Sequence, residues 1–139
     1  MKKIILISCV SKKLEHKAKA KDLYISPLFV KNLQYAETLN PDQIYILSAK
    51  YGLLHLNDEI ESYDVTLNNM STLQIREWAE GVLNQLRLVT DLEYDEFIFL
   101  AGNNYRKYLL PHLKHYNLPM EGLSIGKQLQ WLTKNIRHE

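Results

Sequence analysis

QIYILSAKYGLLHLNDEIESYD, Gln43 to Asp64, holds the change of pattern on which the fold reading turns. Its first six residues, Gln43–Ser48, form a short apolar run that reads as a strand. From Ala49 through Met70 no period is sustained, so this length of chain is expected to be a structured excursion. On either side the pattern is regular. Upstream, Lys3–Ser8 (KIILIS) is a continuous apolar, β-branched run, as a strand covered on both faces requires. Between the two strands, Cys9–Leu23 is polar and Lys-rich and reads as a long loop, after which Ser26-Pro27 supplies an N-cap and a proline at the first helical position. Leu28, Phe29, Leu33, Ala36 and Leu39 then share one helical face until Asn40-Pro41.

Downstream, Ser71 with Gln74 three residues later makes a capping-box pattern. The helix it opens carries Ile75, Trp78, Ala79, Val82, Leu86 and Val89 on one stripe. Asp95–Ala101 reads as a third strand. Gly102-Asn103-Asn104 turns into a helix bearing Tyr105, Tyr108 and Leu109 and broken near Pro111. Met120–Ser124 reads as a short fourth strand, and Gly126–Arg137 as a closing helix with Ile125, Leu129, Leu132 and Ile136 inward. Strands separated by helices predict an α/β fold, with a mainly parallel central sheet flanked by helices. With no repeat or linker, residues 1–139 are expected to form a single domain.

Composition narrows the setting. The chain is 46% hydrophobic with a net charge of +1, typical of a globular protein rather than a disordered one. No apolar run approaches the ~20 residues that span a bilayer, and Ile4–Ile7 is too short for a signal peptide. Cys9 is the single cysteine, which excludes an internal disulfide and a zinc-cysteine cluster and suits a reducing cytoplasm. Residues 1–41 hold eight lysines against three acids, residues 42–100 three bases against eleven acids, and residues 101–139 six bases against two acids. Were the two ends folded together, a basic face would oppose an acidic one and favour a phosphate-bearing ligand or nucleic acid.

In open parallel sheets, ligands bind beyond the carboxyl ends of the strands. The unusual residues fall at those ends. The first strand delivers Ser8, Cys9, Ser11, Lys12 and Lys13; the second, Ser48, Lys50, Tyr51 and Gly52; the third, Gly102, Asn103, Asn104 and Tyr105. The fourth apolar segment delivers Gly122, Ser124, Gly126 and Lys127. Cys9 is either a nucleophile helped by nearby lysines or a small buried residue. Lys12 and Lys13 either hold phosphate, supply an amine nucleophile or are solvated. Lys50 follows a buried strand directly, so it needs an acid partner among Asp58, Glu59, Glu61 and Asp64 or an anionic ligand. Asp58 or Asp64 could act as a general acid or base. No spacing matches a metal motif, and no cofactor is expected. GLSIGK, Gly122–Lys127, lacks the glycine spacing and the hydroxyl residue of a phosphate loop.

The pattern Leu-Ser-x-x-Tyr-Gly-Leu-Leu, followed by Asp, Ile and Tyr, resembles the peroxide-stress YaaA family. Its positions here are Leu47, Ser48, Tyr51, Gly52, Leu53, Leu54, Asp58, Ile60 and Tyr63. Nearly the whole chain is similar to small bacterial and phage proteins grouped as a domain of unknown function. That likeness runs through Ser8-Cys9, Asp22–Phe29, Ser48–Leu54, Leu100–Tyr105 and Glu121–Gly126. Cys9, a following lysine and Tyr24-x-Ser26 also resemble the core domain of archaeosine synthases, where a lysine attacks the nitrile of a deazapurine base in tRNA. Val10 stands where that pattern has serine, and the loop before Tyr24 is longer, so both Lys12 and Lys13 stay candidates. The resemblances imply a YaaA-like fold, related to folds that handle bases in nucleic acids. The expectation is a protein that acts on or binds a nucleobase, nucleotide or nucleic acid at a cleft formed by the carboxyl ends of the strands, with catalysis left open. Lys50, Asp64, Cys9 and Lys13 would be its reactive groups. Ser8, Lys12, Tyr24, Ser26, Ser48, Tyr51, Gly52, Asp58, Tyr63, Gly102, Tyr105 and Gly126 would bind its ligand. A non-catalytic nucleic-acid-binding or stress-response protein is the alternative.

Overall fold

The computed structural model describes residues 1–8 and 12–136; Cys9, a candidate nucleophile above, lies outside them. The chain runs β1 (Lys3–Ser8), β2 (Ala18–Lys19), α1 (Ala20–Leu23), α2 (Pro27–Thr38), β3 (Gln43–Ser48), β4 (Gly52–His55) and β5 (Glu59–Ile60). It continues through α3 (Thr72–Val89), β6 (Glu96–Leu100), α4 (Asn103–Arg106), β7 (His115–Asn117) and α5 (Ile125–Asn135). The central sheet has the order β4-β3-β1-β6-β7. In it β3, β1, β6 and β7 are parallel, and β4 folds back antiparallel on β3. This is the expected α/β architecture.

Being central, β1 is buried on both faces, which is why it reads as an unbroken apolar run. Its residues alternate between two cores. Ile4 and Leu6 join Tyr45, Leu47, Phe97 and Phe99 under α3, with Ile75, Ala79, Val82, Leu83 and Leu86 facing them. Ile5 and Ile7 join Ile46, Ile98 and Leu100 on the other face, under α2 and α5. These two helices pack against each other, with Tyr35 and Trp131 edge to face at 5.0 Å. The caps form as expected. The Ser26 hydroxyl accepts from Phe29 N–H at 3.2 Å, and Ser71 and Gln74 make a reciprocal capping box.

Three expectations need correcting. Met120–Ser124 is a turn region with Gly122 at φ 81°, and the fourth parallel strand is His115–Asn117. As an edge strand with all three residues exposed, HYN carries no apolar signature. Residues 12–23 are less irregular than a long loop. Leu14 N–H donates to Leu23 C=O at 2.8 Å, Ile25 N–H to Lys12 C=O at 3.0 Å, and β2 pairs with β5. Ile125 and Val89 point outward at helix ends rather than inward. One contact joins the basic N-terminal stretch to the acidic middle of the chain. Lys19 lies opposite Glu59, and the Lys17 ammonium is 4.0 Å from the Glu59 carboxylate. No described helix is long and apolar enough to cross a membrane.

Candidate functional site

After β1 the chain crosses to β3 on one side, and later returns to place β6 on the other. Strand order therefore reverses between β1 and β6, where helix N-termini and strand ends leave a crevice. A backbone–side chain bond spans the gap: Gly102 N–H donates to the Ser8 hydroxyl at 3.1 Å. A cavity of about 160 Å³ opens there, walled by Ser8 from β1 and by Leu100, Ala101 and Gly102 from the end of β6. The start of α2 contributes Ser26, Leu28, Phe29 and Asn32, and the start of α5 contributes Ile125 and Gln128. Asn68 and Tyr105 complete the wall. Full-sized ligand sites occupy roughly 300–1,000 Å³, so this cavity takes a single ring or head group.

Among the described residues its lining is uncharged: hydroxyls, carboxamides, backbone, aromatic edges and aliphatic carbons. Asn32 is only 2% exposed, and its Oδ1 has no hydrogen-bond partner among the described residues. A buried acceptor in that state costs about 1–3 kcal/mol, which native structures seldom leave uncompensated.

The segment Leu47–Asp64 reaches this cavity through packed rings. Ser48 C=O accepts the Trp78 Nε1–H at 2.8 Å, and the Trp78 ring stands edge-on to Tyr105 at 5.6 Å. Ser48 also anchors a hydroxyl cluster. Its Oγ accepts from Tyr51 N–H at 3.1 Å and donates to the Tyr63 hydroxyl at 2.9 Å; the Tyr63 and Tyr24 hydroxyls share a bond of 2.7 Å. The Lys13 ammonium lies 4.7 Å from the centre of the Tyr63 ring, within cation–π range. Tyr51 abuts Tyr63 at 5.7 Å, and Tyr24 abuts the cavity-lining Phe29 at 5.2 Å.

Of the residues singled out from sequence, Ser8, Ser26, Gly102 and Tyr105 thus line the cavity, while Lys13, Tyr24, Ser48, Tyr51 and Tyr63 form the adjoining cluster. The others stand apart. Lys50 is exposed, its ammonium 5.2 Å from the Tyr51 ring centre, and no acid pairs with it among the described residues. Asp64 is exposed. The Asp58 carboxylate accepts from His55 N–H at 2.9 Å and closes the turn after β4. Gly52 opens β4 at φ +75°. Lys12 and Gly126 are exposed, the latter in the first turn of α5. No cluster of three metal-binding side chains occurs among the described residues.

Asn32, Asn68 and Gln128 were not anticipated. Asn32 left a signal, since it lies three and four residues from Phe29 and Leu28 on the apolar stripe of α2, where a polar residue is out of pattern. Gln128 and Asn68 left none, being ordinary polar residues at a helix start and in a loop.

A family profile matches residues 4–134, from β1 into the last turn of α5. The chain belongs to DUF6884, a family of unknown function. The match embraces every strand of the central sheet and every segment that lines the cavity. No curated protein matches the chain.

Proposed function

We propose that this DUF6884 chain binds a nucleobase, nucleoside or nucleotide at the carboxyl edge of its sheet, in the cavity between β1 and β6. The observation that carries the reading is the uncharged, carboxamide-bearing lining of a ring-sized cavity at the reversal of strand order. Hydroxyl and amide groups beside aromatic and aliphatic carbon suit a flat heterocycle, with polar edges to be hydrogen-bonded and apolar faces to be covered. The likeness of Leu47–Asp64 to the YaaA pattern, and of Tyr24-x-Ser26 to the archaeosine synthase core, points to the same ligand class. If the bound base is modified, the hydroxyls of Ser8, Ser26 and Tyr105 stand on the cavity wall, and Lys13 with the hydroxyls of Tyr24, Tyr63 and Ser48 forms the adjoining cluster.

Binding of a nucleic-acid backbone is the weaker reading, because Lys17 and Lys19 face Glu59 rather than open solvent alone. The test is a titration of free bases, nucleosides and nucleotides, followed by thermal unfolding and by amide chemical shifts. A ligand at 100 times its Kd should add about 2.7 kcal/mol of stability, with shifts concentrated at Ser8, Ser26, Asn32 and Gly102. Shifts confined to another surface, or no response from the whole panel at millimolar concentration, would refute the reading.

A further inference from the structure

We infer that Asn32 is the residue that reads the ligand, and that what enters the cavity is an uncharged planar ring presenting an N–H donor beside an acceptor. The inference rests on the binding reading above and narrows it, by separating recognition of the base from recognition of any phosphate.

Three observations converge. First, Asn32 is buried, lines the cavity and has an Oδ1 without a donor. The fold places a polar group on the apolar stripe of α2 and leaves its oxygen unmet and without accessible surface, so a ligand recovers that deficit once the carboxamide turns to meet the donor it supplies. A half-turn of the carboxamide exchanges its oxygen and nitrogen, so the group serves any edge on which donor and acceptor are adjacent. Asparagine meets adenine in this way through the N6 amine and N7, and the N3–H and carbonyl of uracil offer the same alternation.

Second, among the described residues no charged side chain walls the cavity. An anion here would be desolvated without a counter-ion, whereas a neutral heterocycle loses little on entry. A phosphate on the ligand therefore stays outside. Third, the cavity measures about 160 Å³, which admits a ring and excludes a whole nucleotide. Phe29 and Tyr105, both nearly fully buried, hold fixed aromatic walls against that ring.

The experiment is calorimetric titration of the native chain and of Asn32→Leu with matched probes. These are adenosine and uridine, their 5′-monophosphates, and the donor-blocked N6,N6-dimethyladenosine and N3-methyluridine. On the native chain at least one nucleoside should bind within about threefold of its monophosphate, and blocking its donor should weaken binding about tenfold or more. In Asn32→Leu the parent and the blocked nucleoside should bind equally weakly. The inference is overturned if monophosphates bind while nucleosides do not, if blocking changes affinity less than about twofold, or if the blocking penalty survives in Asn32→Leu. In each of those cases nucleotide binding itself stands. Absence of binding by every probe instead removes the underlying reading and the inference with it. The blocked-probe comparison needs only the native chain, so it decides the matter even if Asn32→Leu fails to fold.

Discussion

Gly52→Ala isolates what the glycine in Ser-Ala-Lys-Tyr-Gly-Leu-Leu is for. Gly52 sits at φ +75°, where a side chain costs about 1–2 kcal/mol. A methyl group there would also collide with the Gln85 carboxamide oxygen. That oxygen accepts from Leu53 N–H at 2.9 Å and so ties α3 to the edge strand β4. Moving Gln85 aside breaks the bond, for about 0.5–1.5 kcal/mol more. The sum is about 1.5–3.5 kcal/mol, which for a chain of this length lowers Tm by roughly 5–14 °C. Urea unfolding followed by the fluorescence of Trp78 and Trp131 measures it. Gln85→Ala should cost about 1 kcal/mol alone. The double variant should cost less than the two singles together, because the collision is already gone. Additive costs, or a loss under about 1 kcal/mol for Gly52→Ala, would refute the account.

Four further outcomes follow from the geometry. Asn32→Leu should raise stability by about 1–3 kcal/mol in the absence of ligand, because it removes a buried acceptor with no donor; a thermal melt shows the sign. Tyr63→Phe should cost about 1–2 kcal/mol in urea unfolding, since Ser48 and Tyr24 both hydrogen-bond to that hydroxyl. Lys50→Ala and Asp64→Ala, both at exposed positions outside the cavity, should leave stability within about 0.5 kcal/mol and nucleoside affinity within about twofold in the same titrations. Asp95 is buried, which raises its pKa, but N–H groups of Asp91 and Lys2 and the charges of Lys2 and the N-terminus outweigh this and hold it below the ordinary value. Its stabilisation is therefore full above the ordinary carboxylate range and lost as pH falls through the lowered pKa. Asp95→Asn should flatten the acid limb of the stability profile.

How much of this was legible depended on whether a residue's neighbours are local. Ser26-Pro27 and Ser71…Gln74 act within one helical turn, so their motifs could be read directly and their caps formed. The buried strands β1, β3 and β6 announce themselves because coverage on both faces demands unbroken apolar sequence. β7 does not, since an edge strand of exposed residues is held by backbone bonds that any sequence makes. The site divides the same way. Ser8, Gly102 and Tyr105 could be named because strand ends in a parallel sheet predictably converge, and Ser26 through the likeness of Tyr24-x-Ser26 to the archaeosine synthase core. Their grouping around Asn32 depends on how α2 settles over the sheet, and that is decided by packing across long sequence separations. Lys50 shows the converse. Its place after a buried strand suggested a partnered charge, but the turn Ala49–Tyr51 lifts it into solvent before it meets any acid.

The central place of β1 has a consequence for biosynthesis. Its partners β3 and β6 lie far downstream, and the second of them emerges about 50 residues after the first, roughly 3–10 s later at ordinary translation rates. For that interval one edge of an unusually apolar strand has no mate. The nascent chain is thus most vulnerable to aggregation at the step before β6 docks, and a ribosome-associated chaperone would relieve it.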